Sequence, residues 1–220
     1  YSSKLQKDGK WTSPTPLQGD KENGINTAFA EGGPAMNSKM NEIYFTRCKN
    51  YEGKSKKEKS CQIYSSKKRG AAYSDAVILE IGNDSVIVAH PTLTNKDQTI
   101  YFVSNMKGGR GGKDIWTAEY DKKKKKWLNI RNLGPEVNTP GDELYPFVHA
   151  DGTLYFSSNG HVGIGGFDIF KVEKLEDGWG PVMNLKVPIN SSSDDISIIF
   201  EAESERGYLT SNRNGGRGKM

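Results

Sequence analysis

An aromatic triplet recurs four times along the chain: Ile43-Tyr44-Phe45, Ile100-Tyr101-Phe102, Leu154-Tyr155-Phe156 and Gly207-Tyr208-Leu209. The tyrosines are 57, 54 and 53 residues apart. A second series runs beside it. Trp11, Tyr73, Trp127 and Trp179 are each followed six residues later by a leucine, Leu17, Leu79, Leu133 and Leu185. A period this long leaves few options. The chain must be an array of one supersecondary unit that buries its apolar face against its own copies, and such arrays mostly bind other molecules.

One unit reads as four short strands. Val88 to Leu93 is apolar, Thr99 to Val103 is β-branched and aromatic, Ile115 to Tyr120 alternates, and Trp127 to Leu133 closes the unit. Turn chemistry separates them at Asn95–Asp97, Lys107–Gly112 and Lys122–Lys126. Four strands joined by hairpins describe a propeller blade, and no stretch carries the three- and four-residue apolar spacing of a helix. The expected fold is therefore all-β: a β-propeller of four-stranded antiparallel blades. Its parts are a half-blade at 1–17, blades at about 28–81, 86–133 and 143–185, and a half-blade at about 195–211. Asn105 and Asn159 each precede an aspartate by nine residues, Asp114 and Asp168, whereas Asn212 meets the end of the sequence first. This predicts a fragment of a longer chain; the alternative is a four-bladed ring in which the first half-blade completes the last. Apolar content of 34% and 25 glycines suit many short strands and turns. No apolar run approaches the ~20 residues that span a bilayer.

Aligning the repeats places Cys48 at the position of Asn105 and Cys61 at that of Lys113. These positions face each other across a hairpin neck, so a disulfide is expected, closing a loop worth on the order of 3 kcal/mol in the chain-entropy model. Such a bond belongs to an oxidising compartment. The alternatives are two free thiols or a metal pair, and two cysteines without nearby histidines make a poor zinc site. Lysines concentrate at Lys54–Lys59 and Lys122–Lys126, both in predicted turns. A solvated loop is the plain reading; contact with lipid headgroups or an acidic protein is the sharper one. The runs lack interleaved aromatics, which argues against a nucleic-acid partner.

The hairpin signature is SNMKGGRGGKDIW from Ser104, SNGHVGIGGFDIF from Ser158, and the truncated SNRNGGRGKM from Ser211. It resembles the WD40-like β-propeller repeats related to TolB, in the version carried by OmpA-family envelope lipoproteins of Gram-negative bacteria, type IX secretion components among them. The resemblance covers nearly the whole chain. It implies a periplasmic, outer-membrane-associated protein and partners among envelope or secretion-system proteins. Peptidoglycan or outer-membrane contacts would run only through domains outside this chain. The first full blade departs from the pattern: Arg47-Cys48 replaces Ser-Asn, Gln62 replaces the aspartate, and Tyr73 replaces tryptophan.

Asn105, Asp114, Asn159 and Asp168 are expected to cap backbone groups in their turns, with glycines supplying positive φ. Trp127 and Trp179 should fill the space between blades, with aromatic rings of neighbouring blades face to face. Acidic residues recur where the innermost strand begins: Glu31, Asp142-Glu143 and Asp194-Asp195. In a propeller these gather at one mouth of the central channel, where, with Tyr145 and Phe147, they could bind a cation or a basic peptide; the plain reading is a solvated rim. No dense acidic loop of the calcium type is present, no metal or cofactor is expected, and His90, His149 and His161 read as isolated surface or turn residues. The function expected is a non-catalytic protein-docking scaffold of the envelope, linked to protein secretion. The alternatives are a glycan-binding propeller, or a glycan hydrolase using Glu143 and Asp195, which would need its carboxylates ~5–9.5 Å apart.

Overall fold

The computed structural model describes residues 1–20, 22–52, 57–83, 85–94, 96–201 and 206–215. Every helix or strand among them is a strand. In the first full repeat β1 (Ala30–Met36), β2 (Glu42–Glu52) and β3 (Lys57–Arg69) pair in order, and the outer strand is split into β4 (Ala72–Tyr73) and β5 (Val77–Ile78), both on β3. The second repeat is the most regular: β6 (Val88–Leu93), β7 (Thr99–Ser104), β8 (Asp114–Asp121) and β9 (Lys126–Asn132). These match the strands expected from the sequence to within a residue or two. The third has β10 (Glu143–Val148), β11 (Leu154–Ser158) and β12 (Asp168–Val172); its outer part is a hairpin of β13 (Lys174–Leu175) and β14 (Gly178–Trp179), followed by β15 (Met183–Asn184) on β12. A last pair, β16 (Asp195–Phe200) and β17 (Gly207–Ser211), follows. At the other end, bridges Ser2–Thr15 and Leu5–Trp11 make a short antiparallel hairpin. All pairings between strands are antiparallel. Lys54–Lys56 of the first lysine run, Asn95, and the last five residues of the truncated signature lie outside the described residues.

The outer strands break for local reasons. In the third repeat Pro181 has no N–H to offer a ladder between β14 and β15. In the first, the Ser74 hydroxyl accepts the Lys67 N–H at 3.1 Å, standing in for a ladder carbonyl.

The core lies between sheets. Tyr44 and Ile63 of the first repeat pack with Val88, Ile100, Phe102 and Trp127 of the second. Tyr101 and Ile115 of the second pack with Leu154, Phe156, Phe170 and Val172 of the third. The tyrosine of one repeat meets the tryptophan of the next: Tyr44–Trp127 at 6.3 Å and Tyr101–Trp179 at 6.1 Å, with interplanar angles of 83° and 72°. The expected face-to-face packing is thus edge-to-face, the arrangement that brings a ring's positive edge to its neighbour's negative face. Trp11 and Tyr208 repeat the contact at 6.0 Å, joining the first hairpin to the last.

Cys48 and Cys61 stand directly opposite in the β2–β3 register and form a disulfide, S–S 2.03 Å. The bridge closes a hairpin across a separation of 13 residues. Replacing both cysteines by serine is expected to lower unfolding free energy by about 2–3 kcal/mol, because the open chain regains the entropy of the loop. Denaturant midpoints of oxidised, reduced and C48S/C61S protein measure this; identical midpoints would mean that the strand ladder alone holds the neck.

Candidate functional site on the inner wall

The first strands of successive repeats, β1, β6, β10 and β16, lie side by side and form the inner wall. Each carries a bulge where the register to its second strand jumps. In three of them the bulge is a residue of positive φ followed by proline: Gly33-Pro34, His90-Pro91 and Tyr145-Pro146, with φ of 55°, 51° and 48°. Proline is tolerated because these strands are sheet edges that owe no N–H on that side. Histidine and tyrosine are poor residues for the left-handed region, which costs an L-residue on the order of 1–2 kcal/mol. The neighbouring repeat supports both. The His90 N–H donates to Thr46 Oγ1 at 2.9 Å, and the Tyr145 N–H reaches His90 Nδ1 at 3.4 Å. The two rings stack with centroids 3.7 Å apart and planes 12° apart. A Cβ built at Gly33 would touch His90 at 3.5 Å, so the three positions form a row. Burial, with the nearby charge of Lys113, pulls the His90 imidazole down to about 4 and keeps it neutral. His90 is therefore a wall residue, not the isolated surface histidine expected. His149 does sit in its turn beside Asp151, and His161 is tucked against Phe156 and Phe170 with Nε2 2.8 Å from the Val137 carbonyl.

The acidic residues are tied into their own loops or to the hairpin of the preceding repeat. Glu143 is fully buried and accepts from the Thr139 N–H at 2.9 Å, the Thr139 hydroxyl at 2.6 Å and the Ser158 hydroxyl at 2.7 Å. Burial holds its carboxyl above the ordinary range despite those bonds. Asp195, also fully buried, accepts from the Ser191 N–H and hydroxyl and pairs with Arg213. Burial pushes Asp195 up, but the bonds from Ser211, Arg213 and Ser191 outweigh it and hold the carboxyl low. Glu31 takes the Thr27 hydroxyl and the Arg47 guanidinium, the latter at 3.0 Å. Asp142 pairs with Lys113 at 3.0 Å, and Asp194 accepts the Phe167 N–H and the Asn212 amide at 3.0 Å each. Tyr145 lies on the row of bulges, and Phe147 packs into a half-buried cluster with Tyr155 and Phe200.

The glycine-rich hairpins lock one repeat to the next. Asp114 accepts the N–H groups of Arg110 and Gly111, and Asp168 those of Ile164 and Gly165, as expected for turn caps. The asparagines reach further than expected. Asn105, Asn159 and Asn212 accept the N–H of Ile87, Asp142 and Asp194, each at 2.8 Å, and so tie the incoming connection to the hairpin. Most of the glycines are there for close approach. A Cβ at Gly111 would lie 2.2 Å from the Gly141 carbonyl, and one at Gly165 2.1 Å from that of Ser193. Among residues 105–113 and 159–167 only Gly108 has positive φ.

A second lock went unread in the sequence: Ile25-Asn26-Thr27, Val137-Asn138-Thr139 and Ile189-Asn190-Ser191, each followed four residues after its hydroxyl residue by Glu31, Glu143 or Asp195. Asn138 accepts the Ile115 N–H at 2.8 Å and donates to the Ile115 carbonyl at 2.9 Å; Asn190 does the same with Ile169. The hydroxyl residue caps the acid. The prolines at 34, 91 and 146 were an equally visible signal for the wall.

No protein-family model matches the chain. No curated protein matches it either. Solved structures do. The chain is similar to TolB from Acinetobacter baumannii over 87% of its own length and 40% of that chain, with 13% identity and a TM-score of 0.58. The fold is TolB-like. It is also similar to a Mycobacterium tuberculosis puromycin-hydrolysing peptidase, TM-score 0.50 at 12% identity over 83% of this chain and 26% of that one. A third is prolyl oligopeptidase B from Galerina marginata, TM-score 0.50 at 13% identity over 84% and 25%. The chain thus spans less than half the length of each. These likenesses correct one expectation. A scaffold linked to secretion, with glycan binding or hydrolysis as its alternative, is not sustained: the neighbours include peptidases as well as TolB, and nothing in them bears on secretion.

Because folding depresses the His90 pKa, the unfolded chain binds the extra proton between about 6.5 and about 4. Stability is full above the unfolded value and falls with pH across that window, by up to about 3 kcal/mol. Unfolding free energies from pH 7 to 4 should show this slope in the wild type and lose most of it in His90→Gln. Equal slopes would remove the buried neutral imidazole from the account.

Proposed function

We propose that the inner wall is a recognition surface for extended polypeptide, and that this chain binds such segments without cleaving them. The observation that carries the reading is the stacked His90–Tyr145 pair at two left-handed positions. Strained backbone of this kind persists where the surrounding structure over-determines it, and it gathers at binding and switching sites. The wall offers a peptide aromatic faces beside sheet-edge backbone. The bulge prolines limit ladder-type pairing, so recognition would rest on ring contacts and isolated hydrogen bonds. That the fold neighbours include a peptidase and a prolyl oligopeptidase supports a polypeptide ligand. Binding without cleavage is supported by the carboxylates of Glu31, Glu143 and Asp195, each engaged by its own loop. We further propose a periplasmic setting and ligands drawn from envelope proteins. The Cys48–Cys61 bridge, the TolB-like fold and the OmpA-family look of the hairpin signature support that placement.

Fluorescence anisotropy with a panel of labelled peptides, proline- and aromatic-containing ones included, tests the reading. Wild-type protein should bind a subset, and Tyr145→Ala should weaken binding by about tenfold, the loss of one aromatic contact of ~1.4 kcal/mol. Binding unchanged in both Tyr145→Ala and His90→Ala, with circular dichroism showing folded protein, would sink it. So would the absence of any peptide bound at millimolar concentration.

A further inference from the structure

The hairpins joining third to fourth strands hold a charge pattern that the inner wall does not use. In the N-terminal hairpin it is Lys7 and Lys10, in the first repeat Lys67-Lys68-Arg69, and in the second Lys122–Lys126. All three are the same turn of the repeat, just before Trp11, Tyr73 and Trp127, and therefore open on the same end of the sheets. They hold ten basic and two acidic residues, whereas the whole chain has 31 basic and 27 acidic, so the remainder of the molecule is net acidic. Among the described residues only Lys126 of this set has a carboxylate partner, Glu80 of the preceding repeat at 2.7 Å. The other nine side chains are exposed and, among the described residues, outside any ion pair. The arc ends at the third repeat, where the equivalent turn is Lys174-Leu175-Glu176-Asp177-Gly178.

The backbone of the second repeat's turn holds Lys125 left-handed, as other turns of the chain hold Met40 and Asp97. Tight turns here place glycine in the left-handed region: Gly9, Gly70 and Gly178. Lys125 stands two residues before Trp127, as Gly9 stands two before Trp11, yet adopts φ 54°. Lysine holds a position where glycine would be unstrained. The turn is also pinned, since Asp121 Oδ1 accepts the N–H groups of Lys123 and Lys124 at 2.9 Å each.

We propose that this arc is a docking surface for an anionic lipid headgroup layer. Lysine ammoniums are compact point charges on flexible stems, suited to a plane of laterally mobile phosphates; guanidinium forks and stacked aromatics, which serve planar carboxylates and bases, are nearly absent. Clusters of this size bind anionic bilayers through roughly 1 kcal/mol per charge, screened within a Debye length.

Co-sedimentation with vesicles tests it. The chain should bind phosphatidylcholine–phosphatidylglycerol vesicles at low salt, ignore phosphatidylcholine alone, and detach as salt rises. K122Q/K123Q/K124Q/K125Q should weaken binding at least about tenfold. Lys125→Gly should leave the melting temperature unchanged or raised while lowering vesicle affinity, which separates charge from fold. Equal binding to neutral vesicles, no binding by folded wild type, or unaltered binding by the quadruple variant overturns the proposal. Tight binding of polyglutamate with vesicles ignored would assign the arc to an acidic protein instead. Displacement by millimolar inorganic phosphate at constant ionic strength would assign it to a single-ion site. Either result also overturns the lipid assignment. None of these outcomes touches the peptide-binding reading of the wall.

Discussion

The bidentate bond between an asparagine amide and the third strand of the preceding repeat is what lets these sheets form an array. Asn138 on Ile115 and Asn190 on Ile169 are buried; each supplies an acceptor to the main-chain N–H and a donor to the carbonyl, which also takes the N–H of Leu133 or Leu185. Leaving such groups unmet costs roughly 1–3 kcal/mol apiece. The lock places the hydroxyl residue next to it, Thr139 or Ser191, which caps Glu143 or Asp195 at the start of the next inner strand. The direction of each inner strand, and with it the wall, follows from that cap.

Much of this was legible because aromatic spacing is loud. Tyr44, Tyr101 and Tyr155 mark second strands, Trp127 marks a fourth strand and Trp179 the outer hairpin of the third repeat, and aligning them put Cys48 opposite Cys61. Polar spacing was quieter. The acidic residues were found, but sequence gives their position along a strand and not where their oxygens point. The solvated rim and the ligand ring both left those oxygens free, whereas hydroxyls four residues earlier hold Glu31, Glu143 and Asp195, and Lys113, Phe167 and Asn212 hold Asp142 and Asp194. His90 and Tyr145 were harder still. Their neighbours Pro91 and Pro146 normally keep the preceding residue extended, so nothing local announces a left-handed conformation. Only the recurrence of proline at the same place in three repeats does so.

The two ends of the sheets differ in chemistry for a topological reason. In the second and third repeats the hairpins joining second and third strands lie against the connection to the next repeat, so they are crowded, glycine-rich and internally bonded. Among the described residues, hairpins joining third and fourth strands are exposed, with the Lys126–Glu80 pair as a contact to a neighbouring repeat, and can carry many sequences that turn. Charge therefore gathers on the third-to-fourth hairpins, and also on the lysine run between the second and third strands of the first repeat, while the glycine-rich hairpins are constrained to side chains that fit between backbones. A single repeat thus supplies both a rigid frame and a freely variable rim.

The bridge from Lys113 to Asp142, with the Glu143 N–H on the Lys113 carbonyl at 2.7 Å, has its counterpart in the Asp195 N–H on the Phe167 carbonyl at 2.8 Å. Each hairpin is thereby stitched to the strand that opens the following sheet. Stacked repeats with weak interfaces come apart piecemeal, one unit fraying while its neighbours stay folded. Here the loss of one sheet would strip backbone partners from the loop of the sheet before it and expose the aromatic pair between them. Neighbouring units are bound to a common fate, and the array should melt as one cooperative body.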